Sequence, residues 1–439
     1  GSGAFGSSIN ILTDGISEDP YAEISNSFGS YSSRKHTVKF SSGLLNDSFE
    51  ISGRLSKIDS DGYVDRAFSD LKSYFLQGAY KRGNTFLKAL AFGGHEKTYQ
   101  AWDGLSKEQI KENRRQNPLT YENEIDNYKQ DHYQMHLNQK IDSKWSTNIG
   151  LNYTYGRGYF EQFREDDDVS TYGGIVVSDL DASGNELGTT DLIRRRWLDN
   201  NFYVFNTTFI YVSSKLNMNF SSYYSSYSGD HYGEVVWARQ IGANNSIRDE
   251  YYRGNGKKTE RSLFAKSSYL LNDFLEIFGD LQFRKVSYKT TGLTSDLVNM
   301  LVDQTYDFFN PKFGLSYEFN LNSNLFFSYS RANREPSRSD YENNPNIKAE
   351  KLNDFELGWR YRKDGLKFNA NIYYMLYDEQ LILTGALDDV GTPIRTNSGQ
   401  SYRFGLELDS RYKFSESFLL NANLTLSSNK NTEIISLVD

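Results

Sequence analysis

From about residue 30 to its end, the chain is punctuated at two alternating tempos. Short polar turn signals fall at residues 45–47, 82–84, 142–143, 213–214, 272–273, 320–324, 363–365 and 414–416. Between them lie long polar connections, at roughly 59–69, 95–125, 157–197, 228–258, 288–309, 332–350 and 384–400. An array of hairpins with tight turns at one end and long loops at the other predicts an all-β chain. More narrowly, it predicts a transmembrane antiparallel β-barrel with short periplasmic turns and long extracellular loops.

The segments between the turns alternate with period two. Leu366, Phe368, Ala370, Ile372, Tyr374 and Leu376 share one face, and Lys367, Asn369 and Asn371 share the other. Phe418, Leu420, Ala422, Leu424 and Leu426 alternate with Asn421, Asn423, Thr425 and Ser427; Phe49, Ile51, Gly53 and Leu55 alternate with Glu50, Ser52, Arg54 and Ser56. Such alternation marks a half-buried strand. The segments run about ten residues or more, right for a tilted membrane crossing. About 17 strands can be counted in this way. Single-chain bacterial barrels carry an even number, so the count predicts that strands are missing.

Composition agrees. Mean hydropathy is −0.66, which by itself describes a soluble chain. A barrel escapes that index because only alternate strand residues face lipid. Tyr 33 and Phe 29 are high counts, and both residues favour strands and membrane interfaces. No apolar run reaches the length of a transmembrane helix. With no cysteine, disulfides and thiolate metal sites are excluded. A net charge of −8 without a basic stripe argues against a nucleic-acid partner. The chain opens on Gly1, Ser2 and Gly3 with no leader, as expected of a processed chain or a fragment.

Several motifs carry competing readings. Residues 1–6 match G-x-G-x-x-G formally, but a strand-like Ile9, Asn10, Ile11 follows where a dinucleotide fold needs a helix. His132 and His136 would pair on a helix. Here they share the polar face of a strand with Tyr128, Gln130 and Gln134, roughly 13 Å apart, which reads as lumen-facing histidines. Glu161, Glu165, Asp166, Asp167 and Asp168 form an acidic group on the fourth long loop, read as solvated rather than cation-binding. Ser106 to Gln109 match a capping box opening a helix through about Arg115. Ile175, Val176 and Val177 with a turn at 181–184 predict a small hairpin. No nucleophile elbow or Walker loop is present. Neither an enzymatic activity nor a cofactor is expected.

The opening Gly3, Ala4, Phe5, Gly6, Ser7, Ser8, Ile9, Asn10, Ile11, Leu12, Thr13 resembles the end of the plug in TonB-dependent outer-membrane receptors. Ser27, Phe28, Gly29, Ser30 and Tyr31 resemble the first barrel strand and its outer turn. Asp61-Gly62-Tyr63, the run Arg334-Glu335-Pro336-Ser337-Arg338-Ser339-Asp340-Tyr341, Leu352 to Gly358, and Gly405-Leu406-Glu407-Leu408 resemble barrel segments of Bacteroidetes-type members. Residues 1–18 are then expected to be the C-terminal remnant of the plug domain, and 19–439 the receptor β-barrel, incomplete at its C-terminus. That barrel has twenty-two strands in the family.

The resemblance implies a bacterial outer-membrane receptor that binds a scarce nutrient, most often a ferric siderophore, and imports it with TonB-supplied energy. Its implied partners are TonB, through an N-terminal region not in this chain, outer-membrane lipid and lipopolysaccharide, and the nutrient itself. A passive porin and an outer-membrane hydrolase are the competing readings. Candidate ligand contacts are Tyr155, Arg157, Tyr159 and Arg164 at the start of the fourth loop, Tyr232 and Trp237 in the fifth, and Arg334, Arg338 and Tyr341 in the seventh. Arginine offers forked hydrogen bonds to anions, and tyrosine and tryptophan offer rigid contact area. The same residue types also anchor barrel rims or touch lipopolysaccharide.

Overall fold

The computed structural model describes residue 13, residues 15–387 and residues 393–432. The dinucleotide-like residues 1–6 and most of the plug-like opening lie outside them. The strands are β1 (Pro20–Phe28), β2 (Arg34–Ser42), β3 (Phe49–Ser60), β4 (Ser69–Arg82), β5 (Thr85–Tyr99), β6 (Ile125–Lys140), β7 (Trp145–Asp168), β8 (Thr189–Val212) and β9 (Leu216–Ala238). They continue as β10 (Glu250–Asn272), β11 (Leu275–Leu293), β12 (Asn299–Asn320), β13 (Ser323–Arg334), β14 (Glu350–Lys363), β15 (Leu366–Asp378), β16 (Leu381–Leu387), β17 (Pro393–Asn397), β18 (Gln400–Ser415) and β19 (Phe418–Asn431). Two short helices, α1 (Lys107–Glu112) and α2 (Arg338–Asn343), interrupt the connections.

All but β16 and β17 form one 17-stranded sheet. Each strand pairs antiparallel with the next, from β1 through β15 and then β18 and β19. β16 and β17 make a separate hairpin. Among the described residues, β1 and β19 each have one ladder partner.

The short turns stand where expected, and their chemistry explains them. Asn46 and Asp47 both take positive φ, as do Asp364 and Gly365. Two consecutive such residues suit a hairpin whose twist matches its strands. Asp142 Oδ1 accepts the amides of Lys144 and Trp145, and Asn272 Oδ1 accepts those of Phe274 and Leu275. These side chains mimic a backbone turn.

The period-2 faces sort as the sequence implies. Ile372, Tyr374 and Leu376 lie on the exposed outer face of β15, and Phe418, Leu420, Leu424 and Leu426 on that of β19. The lumen side of β3 holds Glu50, which accepts hydrogen bonds from Ser41 Oγ and Gln77 Nε2. Two aromatic rows bracket the outer surface. Trp145 packs on Tyr211 near the periplasmic turns, and Tyr133, Tyr153 and Tyr203 stack in series higher up. Eight residues separate Trp145 from Tyr153, a rise of roughly 27 Å along a strand. Tilted by about 35–45°, that rise spans roughly 19–22 Å of height, most of an apolar band about 25 Å tall.

The long connections differ from expectation. β7 runs to Asp168 and β8 begins at Thr189, so the fourth connection is about half the predicted 157–197. The fifth shrinks to residues 239–249 and the sixth to 294–298. The strands continue well above the upper aromatic row, where both faces meet water or loops. Hydropathy alternation disappears there while the hydrogen-bond ladder persists. The helix opened by Ser106 has its capping box but ends at Glu112. The turn at 181–184 forms, with the amide of Gly184 donating to Asp181 O. Leu180 and Glu186 bridge across that turn, so a minimal hairpin forms, but Val176 stands outside it and bridges to Ile241 of the next connection. His132 and His136 face the lumen: His132 bonds Thr154 and stacks on Phe92, and His136 bonds Gln134.

Candidate functional site at the outer mouth

Two inserts narrow the mouth from within. The first is the β7–β8 connection. Its Tyr172, Ile175 and Val176 form a small core with Leu192, Val235, Tyr251 and Tyr252 at the tops of β8, β9 and β10. The second is the segment carrying α2. There Tyr341 and Ile347 pack with Tyr288, Met300, Val302 and Leu381. Tyr341 is 2% exposed, stacks on Tyr288 at 5.7 Å and hydrogen-bonds Tyr306.

Charge fixes the α2 segment at three points. Arg334 pairs with Glu350 of β14 at 2.9 Å. Glu335 is buried and accepts two bonds from Arg284 of β11, at 2.6 and 2.8 Å, while Lys258 of β10 lies 2.6 Å away. Arg284 also donates twice to Glu260. Asp340, 2% exposed, accepts two bonds from Arg395 of β17 and one from Ser337 Oγ. Buried charges need such partners to be tolerable.

Arg338 is the exception. Its Nη1 has no hydrogen-bond partner although little solvent reaches it. Its guanidinium rests over Gly254, where an added Cβ would come within 2.8 Å of Nη2. The bare backbone therefore makes the room. Arg338 lies close enough for its charge to act on Tyr227, His231, Tyr252 and Tyr288. His231 stands on the part of β9 above the upper aromatic row. Burial, helped by Arg338, pushes its pKa down to about 4, so it is neutral at pH 7. Arg196 is buried on the same inner face, opposite Gly233. The recess thus presents guanidinium donors, phenol hydroxyls and a neutral imidazole, a set suited to a bulky anion with aromatic or carboxylate character.

The other candidates fall elsewhere. Tyr155, Arg157 and Tyr159 are strand residues of β7 whose side chains point outward, because Thr154 and Gly156 face the lumen. Arg157 pairs with Asp199 at 3.4 Å and lies over the Trp197 ring. Tyr159 packs on Trp197, Trp197 stacks on Tyr232, and Arg195 and Arg253 cover Tyr159 and Tyr232. This is an outer-surface stack. Arg164 is held by Asp167 beside a bulge in β7, and Trp237 is 41% exposed on β9. The acidic group lies on β7, not on a loop; Glu165, Asp166 and Asp168 are exposed as expected, but the other two are not free. Glu161 is 3% exposed and accepts from Arg195, Tyr121 and Asn123; Asp167 binds Arg164 and Tyr172. Among the described residues no three His, Asp or Glu side chains converge on a metal position. His231, Tyr227, Tyr252 and Tyr288 were missed from sequence. Only Tyr252, in the Tyr251-Tyr252-Arg253 run, carried a local signal.

Solved structures share this architecture. The ferric-catecholate import receptor Fiu from E. coli K12, closed form, is 13% identical with a TM-score of 0.62, covering 96% of this chain and 66% of that one. The ferric yersiniabactin uptake receptor FyuA from Yersinia pestis is 13% identical with a TM-score of 0.63, covering 96% and 63%. The copper transporter OprC is 12% identical with a TM-score of 0.69, covering 95% and 62%. The chain therefore spans just under two thirds of each of these proteins. At such identity the likeness is one of fold. No curated protein matches the chain. Residues 64–436 match the family model described as TonB dependent receptor-like, beta-barrel. The chain belongs to that family of outer-membrane β-barrels.

Proposed function

We propose that this barrel belongs to an active-transport receptor that captures a small anionic nutrient complex at its outer mouth, most readily a ferric siderophore, and admits it with TonB-supplied energy. One observation carries the reading. In the α2 segment, Arg334, Glu335 and Asp340 each make an ion pair, while Arg338 makes none among the described residues and its guanidinium lies beside tyrosines. A guanidinium fixed by its scaffold and left unpaired is a preorganised anion contact. The ferric-catecholate import receptor and the ferric yersiniabactin uptake receptor of the same fold support the substrate class.

In this reading residues 1–18 end a plug domain and residues 19–439 supply the barrel wall. Recognition would involve no bond making or breaking. Arg338 would donate to the complex's anionic oxygens, Tyr227, Tyr252 and Tyr288 would pack against its rings, and Arg334 would act as a brace. The outward-facing Tyr155, Arg157, Tyr159 and Tyr232 are reassigned to the barrel's outer surface. The test is a binding titration of the full-length receptor against a panel of ferric catecholate, hydroxamate and carboxylate siderophores, with Arg338→Ala beside it. Binding of a member of the panel that Arg338→Ala weakens supports the proposal. Binding that the substitution leaves unchanged refutes this site, and passive diffusion of the same solutes without TonB would favour a porin.

A further inference from the structure

Connections on the rim of a sheet are ordinarily its most mobile parts. Two at this mouth are tied to each other. The β7–β8 connection, residues 169–188, and the β9–β10 connection, residues 239–249, are separated along the chain by all of β8 and β9. Val176 of the first and Ile241 of the second nevertheless form an isolated antiparallel bridge. The amide of Val177 donates to Gln240 O at 3.1 Å, and that of Gly242 to Ile175 O at 2.9 Å. These bonds flank Val176 and Ile241 instead of joining them. The two are therefore a non-hydrogen-bonded pair, with Cα atoms about 4.5 Å apart and side chains close.

More contacts cross the same gap. Asn245 Nδ2 donates to Gly174 O at 2.7 Å. Arg239 pairs with Asp179 at 3.4 Å and also with Asp191 at the start of β8. Gly242 permits the approach, since a Cβ there would come within 2.7 Å of Gly174 O. Beneath the bridge, Val176 and Ile241 share one core with Tyr172, Leu192, Val235, Tyr251 and Tyr252. The β11–β12 connection, residues 294–298, enters the same core through Leu297. Leu297 has a φ of 58°, a strained backbone for leucine that its place in the core offsets.

We infer that these three connections form one cooperative body, a fixed wall over β7–β12 that does not open one loop at a time, and that this wall positions Tyr252 at the recess. Segments that share a small core and exchange backbone bonds open together. Tyr252 is 6% exposed within that core and also lies within reach of the Arg338 charge. Gly233, opposite it on β9, leaves room for the rings: a Cβ there would come within 2.4 Å of both Tyr251 and Tyr252. The wall rests on its packing alone, and only its bearing on the recess rests on the proposed function.

The experiment uses the full-length receptor in nanodiscs, without ligand. The 439 residues contain no cysteine, so Val176→Cys/Ile241→Cys supplies the only thiols of this region. At the separation of such a pair a disulfide closes without backbone movement, so peptide mapping should find the two positions linked and closed to maleimide. Amide exchange then reads the coupling. Ile175 donates to Tyr172 O within the first connection, and Asn245 to Gly242 O within the second. Ile241→Ala should speed exchange at Ile175, and Val176→Ala at Asn245, each by about tenfold or more. The disulfide should slow both. Ile247→Ala, at a residue of the second connection that is 53% exposed, should leave Ile175 unchanged. Thiols open to maleimide, exchange that rises only in the connection substituted, or an equal effect from Ile247→Ala would each overturn the wall. Positioning is read by 19F resonance from fluorotyrosine at position 252. The signal should be single and sharp in wild type and in the disulfide variant, and broadened by Ile241→Ala. A line indifferent to Ile241→Ala would overturn the positioning of Tyr252. Because no readout needs a ligand, failure of the recess as an anion site and failure of the wall are told apart.

Discussion

Arg338 and Arg334 are four residues apart and chemically identical, yet their surroundings separate them. Glu350, 3% exposed, forms an ion pair with Arg334, and among the described residues no carboxylate pairs with Arg338. Arg338→Ala should therefore weaken ligand binding by about 1.5–3 kcal/mol, the range of a hydrogen bond to a charged group, and leave the fold intact. Arg334→Ala should instead loosen the α2 segment, seen as faster amide exchange at residues 338–347. The reverse pattern, with Arg338→Ala disturbing exchange and Arg334→Ala lowering affinity alone, would exchange the two roles. Glu124, outside the membrane at the foot of the β5–β6 connection, gives a pH handle. Burial raises its pKa to about 7, against the amide of Phe163 and the charge of Arg164, which pull it down. A carboxyl with a raised folded pKa contributes stability that is full below its ordinary value of 4.5 and is lost as pH rises through 7. Protection of the Gln100 and Phe163 amides, corrected for intrinsic exchange, should fall across that window in wild type and stay level in Glu124→Gln.

At the scale of elements, α2 is a short helix with no independent stability. Its position comes from Arg395 and Asp340, from Glu335 and Arg284, and from Tyr341 beneath it. Arg395→Ala would leave Asp340 buried without its cation, a loss of about 3 kcal/mol locally. The expected result is a released α2 and reduced affinity, because Arg338 rides on it. In the double variant with Arg338→Ala the two affinity losses should not add, and strict additivity would mean that Arg395 contacts the ligand itself. These dependencies also show what was legible in sequence. The turns at Asn46-Asp47 and Asp364-Gly365 and the apolar faces of β15 and β19 could be read because turn chemistry and the lipid face are local. The upper halves of β7, β8 and β9 could not, since Tyr155, Arg157 and Tyr159 lie above the lipid and carry no alternation. The vacancy at Arg338 was invisible for another reason. The partners that occupy its neighbours lie 51 and 55 residues away along the chain, at Arg284 and Arg395.

The whole molecule is held to one orientation by its surface. The outer face runs from Trp145 and Tyr211 at the periplasmic edge, through Leu, Ile and Phe, to Tyr133, Tyr153 and Tyr203. Above it, on the outward faces of neighbouring strands, come Lys57, Lys72, Lys129 and Arg157. Placing a lysine at the bilayer midplane costs about 2–4 kcal/mol, falling toward zero at the interface, so this order admits one depth of insertion. Nitroxide labels should report it. Labels at Phe368, Ala370, Ile372, Leu420 and Leu424 should be relaxed by oxygen dissolved in lipid, and labels at Asn369, Asn371, Asn421 and Asn423 by a water-soluble nickel chelate. A label at Lys72 should respond to the nickel chelate, and one at Leu55 to oxygen, although the two lie on adjacent strands of the same outward face. Equal responses from the paired sets would reject the sidedness of the strands. An oxygen-dominated response at Lys72 would place that cation within the hydrocarbon and reject this depth of insertion.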